Sequence, residues 1–214
     1  MTNKDWIIIS LIGAGILLLA KKAVSMDETD VIERLKNASL PINLTADELR
    51  VMQYAGIMMY EAQRQGIAPE IIAGIIRQES SGIAQTKTYE PKVNDYSYGL
   101  MQMLPLTAAD LKLKNPSLKY DGNPLSLFIP DVSIEIGTAY LAQQLNRYTA
   151  NPKLNPITDM IAAYNAGTAF VSNGQYTNQS YVDHVIVYKT RFRLMFNYLY
   201  QDYGNLFPLT RWGN

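Results

Sequence analysis

Apolar residues recur at alternating intervals of four and three over Tyr181, Val185, Tyr188, Phe192, Met195 and Leu199. That spacing keeps one helix face apolar over about five turns, whereas a strand repeats every two residues. The same period runs through much of the chain. Thr45-Ala46-Asp47-Glu48 has the form of a capping box, and Val51, Met52, Ala55, Met58, Met59 and Ala62 follow as an apolar stripe ending near Gly66. Pro69 suits a first helical position and Gly82 a stop shortly after the last turn. Pro105 opens a short helix that ends by Asn115-Pro116. Asp131 to Tyr148 carries Ile134, Leu141, Leu145 and Tyr148 on one side, and Pro156 starts a helix that ends at Gly167. Only Lys87 to Val93 reads as a small hairpin. The predicted class is all-α.

The chain has 214 residues, the size of one ordinary domain with small additions, and 48% of them are hydrophobic, enough for a buried core. Lysine plus arginine and aspartate plus glutamate both number 19, so no basic excess points to nucleic acid. Cysteine is absent, which excludes disulfides and thiolate zinc sites. A single histidine, His184, makes a Ser-His-Asp triad or a histidine metal site a poor fit; it reads as a helix-surface or packing residue. No metal or cofactor is expected. Tyrosine outnumbers phenylalanine 15 to 5, but half-buried positions favour tyrosine as much as sugar clefts do.

The second helix holds the feature with chemical content. Ile71, Ile72, Ile75 and Ile76 form one face, and the next position on that face is Glu79. A carboxyl group therefore stands where the periodicity asks for an apolar side chain. Partial burial there disfavours the charged form and raises the pKa. A carboxylic acid that keeps its proton near neutral pH is what cleavage of a glycosidic bond requires. Taken alone, a glutamate in the last turn of a helix is more often a solvated end residue.

Further motifs follow in order. They are Ser97-Tyr98-Gly99-Leu100-Met101-Gln102-Met103, then Leu127 to Asp131 leading into Gly137-Thr138-Ala139-Tyr140-Leu141, then Ala163-Tyr164-Asn165-Ala166-Gly167, then Tyr181-Val182. Each is weak by itself, but their order and gaps together are specific. From about Asp47 to Tyr200 the chain resembles the soluble lytic transglycosylase (SLT) domain family, related to goose-type lysozyme. The resemblance implies a lysozyme-like helical domain that cleaves peptidoglycan glycan strands between N-acetylmuramic acid and N-acetylglucosamine. It implies Glu79 as acid and then base, and Tyr181 as a hydrogen-bonding partner that orients it. It places Ser97, Gly99, Met101, Gln102, Tyr164 and Asn165 along the sugar cleft. Gln102 and Asn165 offer donors and acceptors to N-acetyl and hydroxyl groups, and Met101 and Tyr164 offer apolar surface to sugar faces. Gly99 would let the backbone turn close to substrate, although a plain turn glycine fits equally.

Two other functions stay open at this point. A hydrolytic muramidase needs a second carboxylate to activate water, and Glu90 and Asp95 are the candidates, each otherwise a solvated loop residue. A non-catalytic wall-binding component of a membrane or virion assembly could keep the fold, but the presence of Glu79 argues against it.

The N-terminus is of another kind. Trp6 to Ala20 is almost wholly apolar, with Lys4 and Asp5 before it and Lys21 and Lys22 after it. A membrane span needs about 20 residues, so the run is short, but lysine snorkelling and Ala23-Val24 extend it. A cleaved signal sequence competes, but the n-region is weakly basic and no clear small-x-small site follows. The expected layout is a membrane anchor over 1–24, a tether over 25–44, the catalytic domain over 45–202 and a tail over 203–214. Within the tether Val31, Ile32 and Leu35 make at most one amphipathic turn before Pro41. The anchor would hold the enzyme at a membrane facing the cell wall. Lys21 and Lys22 pull toward the opposite orientation, a constraint relaxed in a phage virion or secretion assembly.

Overall fold

The computed structural model describes residues 27–201. Its helices are α1 (Glu28–Asn37), α2 (Ala46–Met52), α3 (Ala55–Gln65), α4 (Pro69–Ser80), α5 (Pro105–Lys114), α6 (Pro130–Thr149), α7 (Pro156–Ala166) and α8 (Gln179–Gln201). A 3-10 turn, Pro124–Phe128, leads into α6. Two antiparallel hairpins interrupt the helices: β1 (Lys87–Glu90) with β2 (Asp95–Tyr98), and β3 (Val171–Ser172) with β4 (Gln175–Tyr176). The class is mostly helical, as the periodicity predicts.

Proline opens α4, α5, α6 and α7, where its missing N–H is not needed. The Thr45 capping box is formed in both directions. Glu48 of that box also receives the Arg191 guanidinium, which ties the start of α2 to α8.

The centre of the domain is α4 lying along α8. Ile72, Ile75, Ile76, Val185, Phe192, Met195 and Leu199 are all sealed in this contact and its surroundings. Gly74 sets how closely the helices meet. A Cβ there would stand 3.1 Å from the Val185 carbonyl oxygen and 3.3 Å from the Lys189 nitrogen. The end of α4 is therefore held by packing along its length. It is also held by polar contacts at its tip. Arg77 pairs with Asp47 at 2.8 Å, Arg50 donates to the Ser81 carbonyl at 2.8 Å, and the Ser80 hydroxyl reaches the Leu100 carbonyl at 2.8 Å.

The structure departs from expectation in four places. Residues 28–37, expected within a tether, form helix α1, and Val31 and Leu35 are each only 1% exposed in the core. Two apolar side chains one turn apart are enough to dock a short helix when a hydrophobic face is waiting for them. The stripe from Thr45 to Gly66 is two helices, because Tyr54 N–H turns back to the Val51 carbonyl and tightens the chain at 53–54. The first hairpin extends past Val93, with its turn over 91–94, and pairs Thr88 with Ser97 and Glu90 with Asp95. The β3–β4 hairpin was not anticipated at all; its strands are two residues long, too short for any alternation to register. Among the described residues no helix is long and apolar enough to cross a membrane. The apolar run Trp6 to Ala20 lies outside the described residues, as does the tail from 203 onward.

Candidate active site

A cleft of about 250 Å³ opens between the first hairpin, the loop before α5 and the helices α4, α6 and α7. Glu79, Glu90, Ser97, Gln102, Met103, Leu104, Thr107, Tyr140, Tyr164, Asn165 and Gly167 line it. Glu79 comes from the last turn of α4, where the isoleucine face meets this opening. The Tyr181 hydroxyl, from the first turn of α8, donates to Glu79 Oε1 at 2.5 Å.

Burial pushes the Glu79 pKa up to about 7; the Tyr181 hydrogen bond opposes the shift, and the negative charge of Glu90 adds to it. Its place at the negative end of the α4 dipole acts in the same direction as burial. Glu79 thus holds a proton near neutral pH, yet releases it within the range a general acid and base needs. Burial, together with the charge of Glu79, also drives the Tyr181 and Tyr164 phenols well above their usual range, so both remain donors.

The expected cleft residues separate into those that face the opening and those that build it. Tyr164 does both. Its ring lines the cleft and packs on Tyr140 at 5.4 Å, while its hydroxyl donates to the Met101 carbonyl at 2.7 Å. Asn165 is exposed at the rim, and its side-chain oxygen accepts from Asn178 at 3.0 Å. Ser97 lines the cleft with its hydroxyl 3.0 Å from both Glu90 Oε1 and Gln102 Oε1.

Two of the expected residues, Met101 and Gly99, are absent from the lining. Met101 is 0% exposed and packs against Gly137, so it offers no surface to a sugar; only its backbone carbonyl serves the site, as the anchor for Tyr164. Gly99 adopts φ +79°, and a Cβ there would lie 1.9 Å from the Leu127 carbonyl oxygen. Its small size serves approach to Leu127, not to substrate. Gln102 lines the cleft as expected, with its amide also tied to its own loop: Nε2 donates to the Thr86 and Gly99 carbonyls at 2.9 and 2.8 Å, and Oε1 lies 3.0 Å from the Ser97 hydroxyl. It also sits at φ +45°, a costly conformation for a non-glycine residue that the amide bonds help to fix. Gln102 is therefore a brace for the loop.

Of the two carboxylates considered for a second acid, Glu90 lines the cleft, whereas Asp95 is absent from the lining and accepts from its own neighbour Tyr96 N–H. Tyr140, Met103, Leu104, Thr107 and Gly167 line the cleft without having been picked out as site residues. Tyr140 was within reach of sequence reasoning, since it lies in the Gly-Thr-Ala-Tyr-Leu motif. Met103 and Gly167 likewise lie in quoted motifs, whereas Leu104 and Thr107 are brought in by the backbone path. Among the described residues no group of three or more histidines, aspartates or glutamates is placed to hold a metal ion.

The order of parts is now fixed: an acid at a helix end, a tyrosine on it, a serine and a glutamine bracing the loop opposite. A family profile described as "Transglycosylase SLT domain" matches residues 57–186, which spans all of them. This chain belongs to the transglycosylase SLT domain family. The chain is 34% identical over 130 residues to the membrane-bound lytic murein transglycosylase C of Actinobacillus pleuropneumoniae serotype 5b, covering 58% of this chain and 33% of that protein. To the protein of the same name from Mannheimia succiniciproducens it is 33% identical over 147 residues, covering 64% of this chain and 38% of that one. The chain thus spans about a third of the length of these curated relatives. The SLT fold itself is shared with the lytic transglycosylase Slt of Pseudomonas aeruginosa, solved as an inactive mutant, at a TM-score of 0.50 and 23% identity. That likeness covers 88% of this chain and 30% of the other.

Proposed function

We propose that the protein is a peptidoglycan lytic transglycosylase that uses Glu79 as its single acid and base. The observation that carries this reading is the Glu79–Tyr181 pair, a carboxyl with a pKa near 7 at the floor of a cleft, fixed by a 2.5 Å hydrogen bond, in a chain of the SLT family. Glu79 protonates the leaving glycosidic oxygen as the C1–O bond breaks and its electron pair passes to that oxygen. The acetamido oxygen of the muramyl residue closes on C1. The C6 hydroxyl then attacks C1, displaces the acetamido oxygen and gives its proton back to Glu79. The product carries a 1,6-anhydromuramyl end and no water is consumed. Tyr181 holds one oxygen of the carboxyl, so that the other faces the bond.

The burial of Val31 and Leu35 supports including α1 in the catalytic unit. The catalytic unit extends from α1 through α8, with residues 6–20 as a membrane anchor that presents the cleft to the cell wall and permits local opening of it. The name "membrane-bound" of the relatives supports the anchor. Full-length protein recovered in the soluble fraction with its N-terminus intact would remove the anchor from this picture.

A hydrolytic muramidase is the second reading, favoured by the place of Glu90 in the cleft. Mass spectrometry of digested peptidoglycan separates the two. Anhydromuramyl ends are expected; reducing ends would establish hydrolysis instead.

A further inference from the structure

The acid is assigned, but the reaction also creates positive charge. When the acetamido oxygen closes on C1, the ring that forms is cationic, and its charge is shared by C1 and the acetamido nitrogen with its N–H. A desolvated cleft makes such a charge costly unless an anion faces it. Glu79 is spent on the leaving group and bonded to Tyr181. The remaining polar lining is neutral. Gln102 is engaged with Thr86, Gly99 and Ser97; Tyr164 donates to Met101; Asn165 accepts from Asn178. Thr107 has no charge, and among the described residues neither lysine nor arginine lines the cleft. Among the described residues one other carboxyl group lines the cleft, that of Glu90.

Glu90 is not a loosely placed loop residue. It ends β1 on the hairpin face that also carries Thr88 and Ser97, whereas Tyr89, Tyr96 and Tyr98 lie on the opposite face. Its Oε1 lies 3.0 Å from the Ser97 hydroxyl, which is itself 3.0 Å from Gln102 Oε1. Gln102 in turn grips the Thr86 and Gly99 carbonyls. The Ser97 hydroxyl has one proton to give, and donating it to Glu90 fixes that carboxylate oxygen, while Oε2 has no hydrogen-bond partner among the described residues.

We infer that Glu90 is the anion that meets the cationic sugar, accepting the acetamido N–H as the ring closes, so that the cleft works with two carboxylates in different roles. The inference rests on the transglycosylase reading. It explains why Ser97 and Gln102 are spent on the hairpin and leaves the water-free outcome intact, because Glu90 receives a hydrogen bond and takes no proton from water. The groups facing Glu79 are Tyr181 from α8, Tyr164 from α7 and Glu90 from β1. Replacing Glu90 therefore also alters Glu79, and rates must be compared at a pH where Glu79 is protonated in every variant.

The test is steady-state turnover of full-length protein on a soluble glycan strand of alternating N-acetylglucosamine and N-acetylmuramic acid at pH 5, with products identified by mass spectrometry. Glu90→Gln is nearly isosteric and keeps an acceptor for Ser97. It is expected to lower kcat about a hundredfold, the loss typical of removing one transition-state electrostatic partner, with KM within about threefold and an unchanged melting temperature. Glu90→Asp should keep more activity than Glu90→Gln. Parental kcat in Glu90→Gln would overturn the inference, as would a parent that yields reducing ends, which would make Glu90 the base for water. Glu79→Gln, run alongside, keeps the two readings apart. If Glu79→Gln is inactive while Glu90→Gln is fully active, only the role of Glu90 falls; if Glu79→Gln retains activity, the transglycosylase reading falls with it.

Discussion

The two walls of the cleft are made from different materials. The Glu79 wall is helix on helix, with Ile72, Ile75, Ile76 and Val185 sealed beneath the carboxyl and Gly74 letting α8 approach. The Glu90 wall is a two-stranded hairpin whose outer face leaves Tyr89 47% and Tyr96 39% exposed. Packing fixes the first wall; hydrogen bonds through Ser97 and Gln102 fix the second. The difference follows from what each side must do. A proton donor must be held dry and within a fraction of an ångström of its bond, which a close-packed core provides. On the proposed reading, a wall that admits a polymer needs only to be held from one side.

The largest expected effect lies on the packed wall. Glu79→Gln keeps size and an acceptor for Tyr181 but removes the transferable proton. Turnover on purified peptidoglycan should fall by about a thousandfold or more, at least 4 kcal/mol of transition-state stabilisation. A variant that clears wall suspensions at the parental rate would end the catalytic assignment, and with it the reason for calling this the chemical wall.

The same carboxyl should leave a mark on stability. Its folded pKa, about 7, lies above the model-peptide value of 4.5. The unfolded chain therefore releases this proton at lower pH than the folded one. Below about pH 4.5 both forms hold the proton and burial costs nothing. As pH rises from there through 7 the folded state loses stability, by about 3 kcal/mol once both forms are ionised. Denaturant unfolding of the parent and of Glu79→Gln should diverge over that window, with the variant the more stable at pH 8. Activity should fall on the alkaline side around the same pKa. Curves that stay parallel from pH 4 to 8 would mean that the carboxyl is already solvated.

This contrast also marks what sequence reasoning reaches. The helices were legible because burial imposes a period, and Glu79 was legible because it interrupts one. Tyr181 stands at the head of the clearest helical stripe. Hairpin and loop residues obey no such rule. The motif put Met101, Gly99 and Gln102 along the sugar cleft, and a motif does not tell which way a side chain turns: Met101 turns into the core against Gly137, whereas Gln102 does line the cleft with its amide bonded to its own loop. Helix α1 escaped notice because Val31 and Leu35 span one turn, too little for periodicity, and their burial depends on a surface built far away in sequence. The buried carboxylates Glu61, Glu135 and Asp159 left no trace either. Glu61 is held by Arg64 and Gln65, Glu135 by Arg64 and the Lys119 N–H, and Asp159 by Tyr176 with loop N–H groups. Each pairing is visible only in three dimensions.

Tyr181→Phe probes how far the packed wall does its work through one polar contact. The ring still fills its place against the core, so the melting temperature should change little. The lost hydroxyl leaves Glu79 free to rotate and removes the hydrogen bond that favours its ionised form. Turnover should drop about tenfold to a thousandfold, as expected for a single positioned hydrogen bond to a charged or reacting group. The alkaline limb of the pH profile should move upward at the same time. A variant with unchanged turnover and profile would reduce Tyr181 to a packing residue.

The smallest effect belongs to the hairpin. Tyr96→Ala removes the cross-strand pair with Tyr89, whose ring lies 5.2 Å away, and the Lys87 ammonium 4.0 Å above the Tyr96 ring. Both contacts lie on the face away from the cleft. Cross-strand aromatic pairs and exposed cation–π contacts contribute about 0.5–1 kcal/mol each, and the exposed ring has little burial to lose. Urea unfolding should therefore show a loss of about 1 kcal/mol, and turnover should change by less than about threefold because Ser97 and Gln102 still hold Glu90. A loss above about 3 kcal/mol would show that the hairpin unfolds with the core as one unit. Stability near the parental value with turnover reduced tenfold would show instead that the outer tyrosines set the angle at which Glu90 meets the cleft, so that this wall too depends on packing.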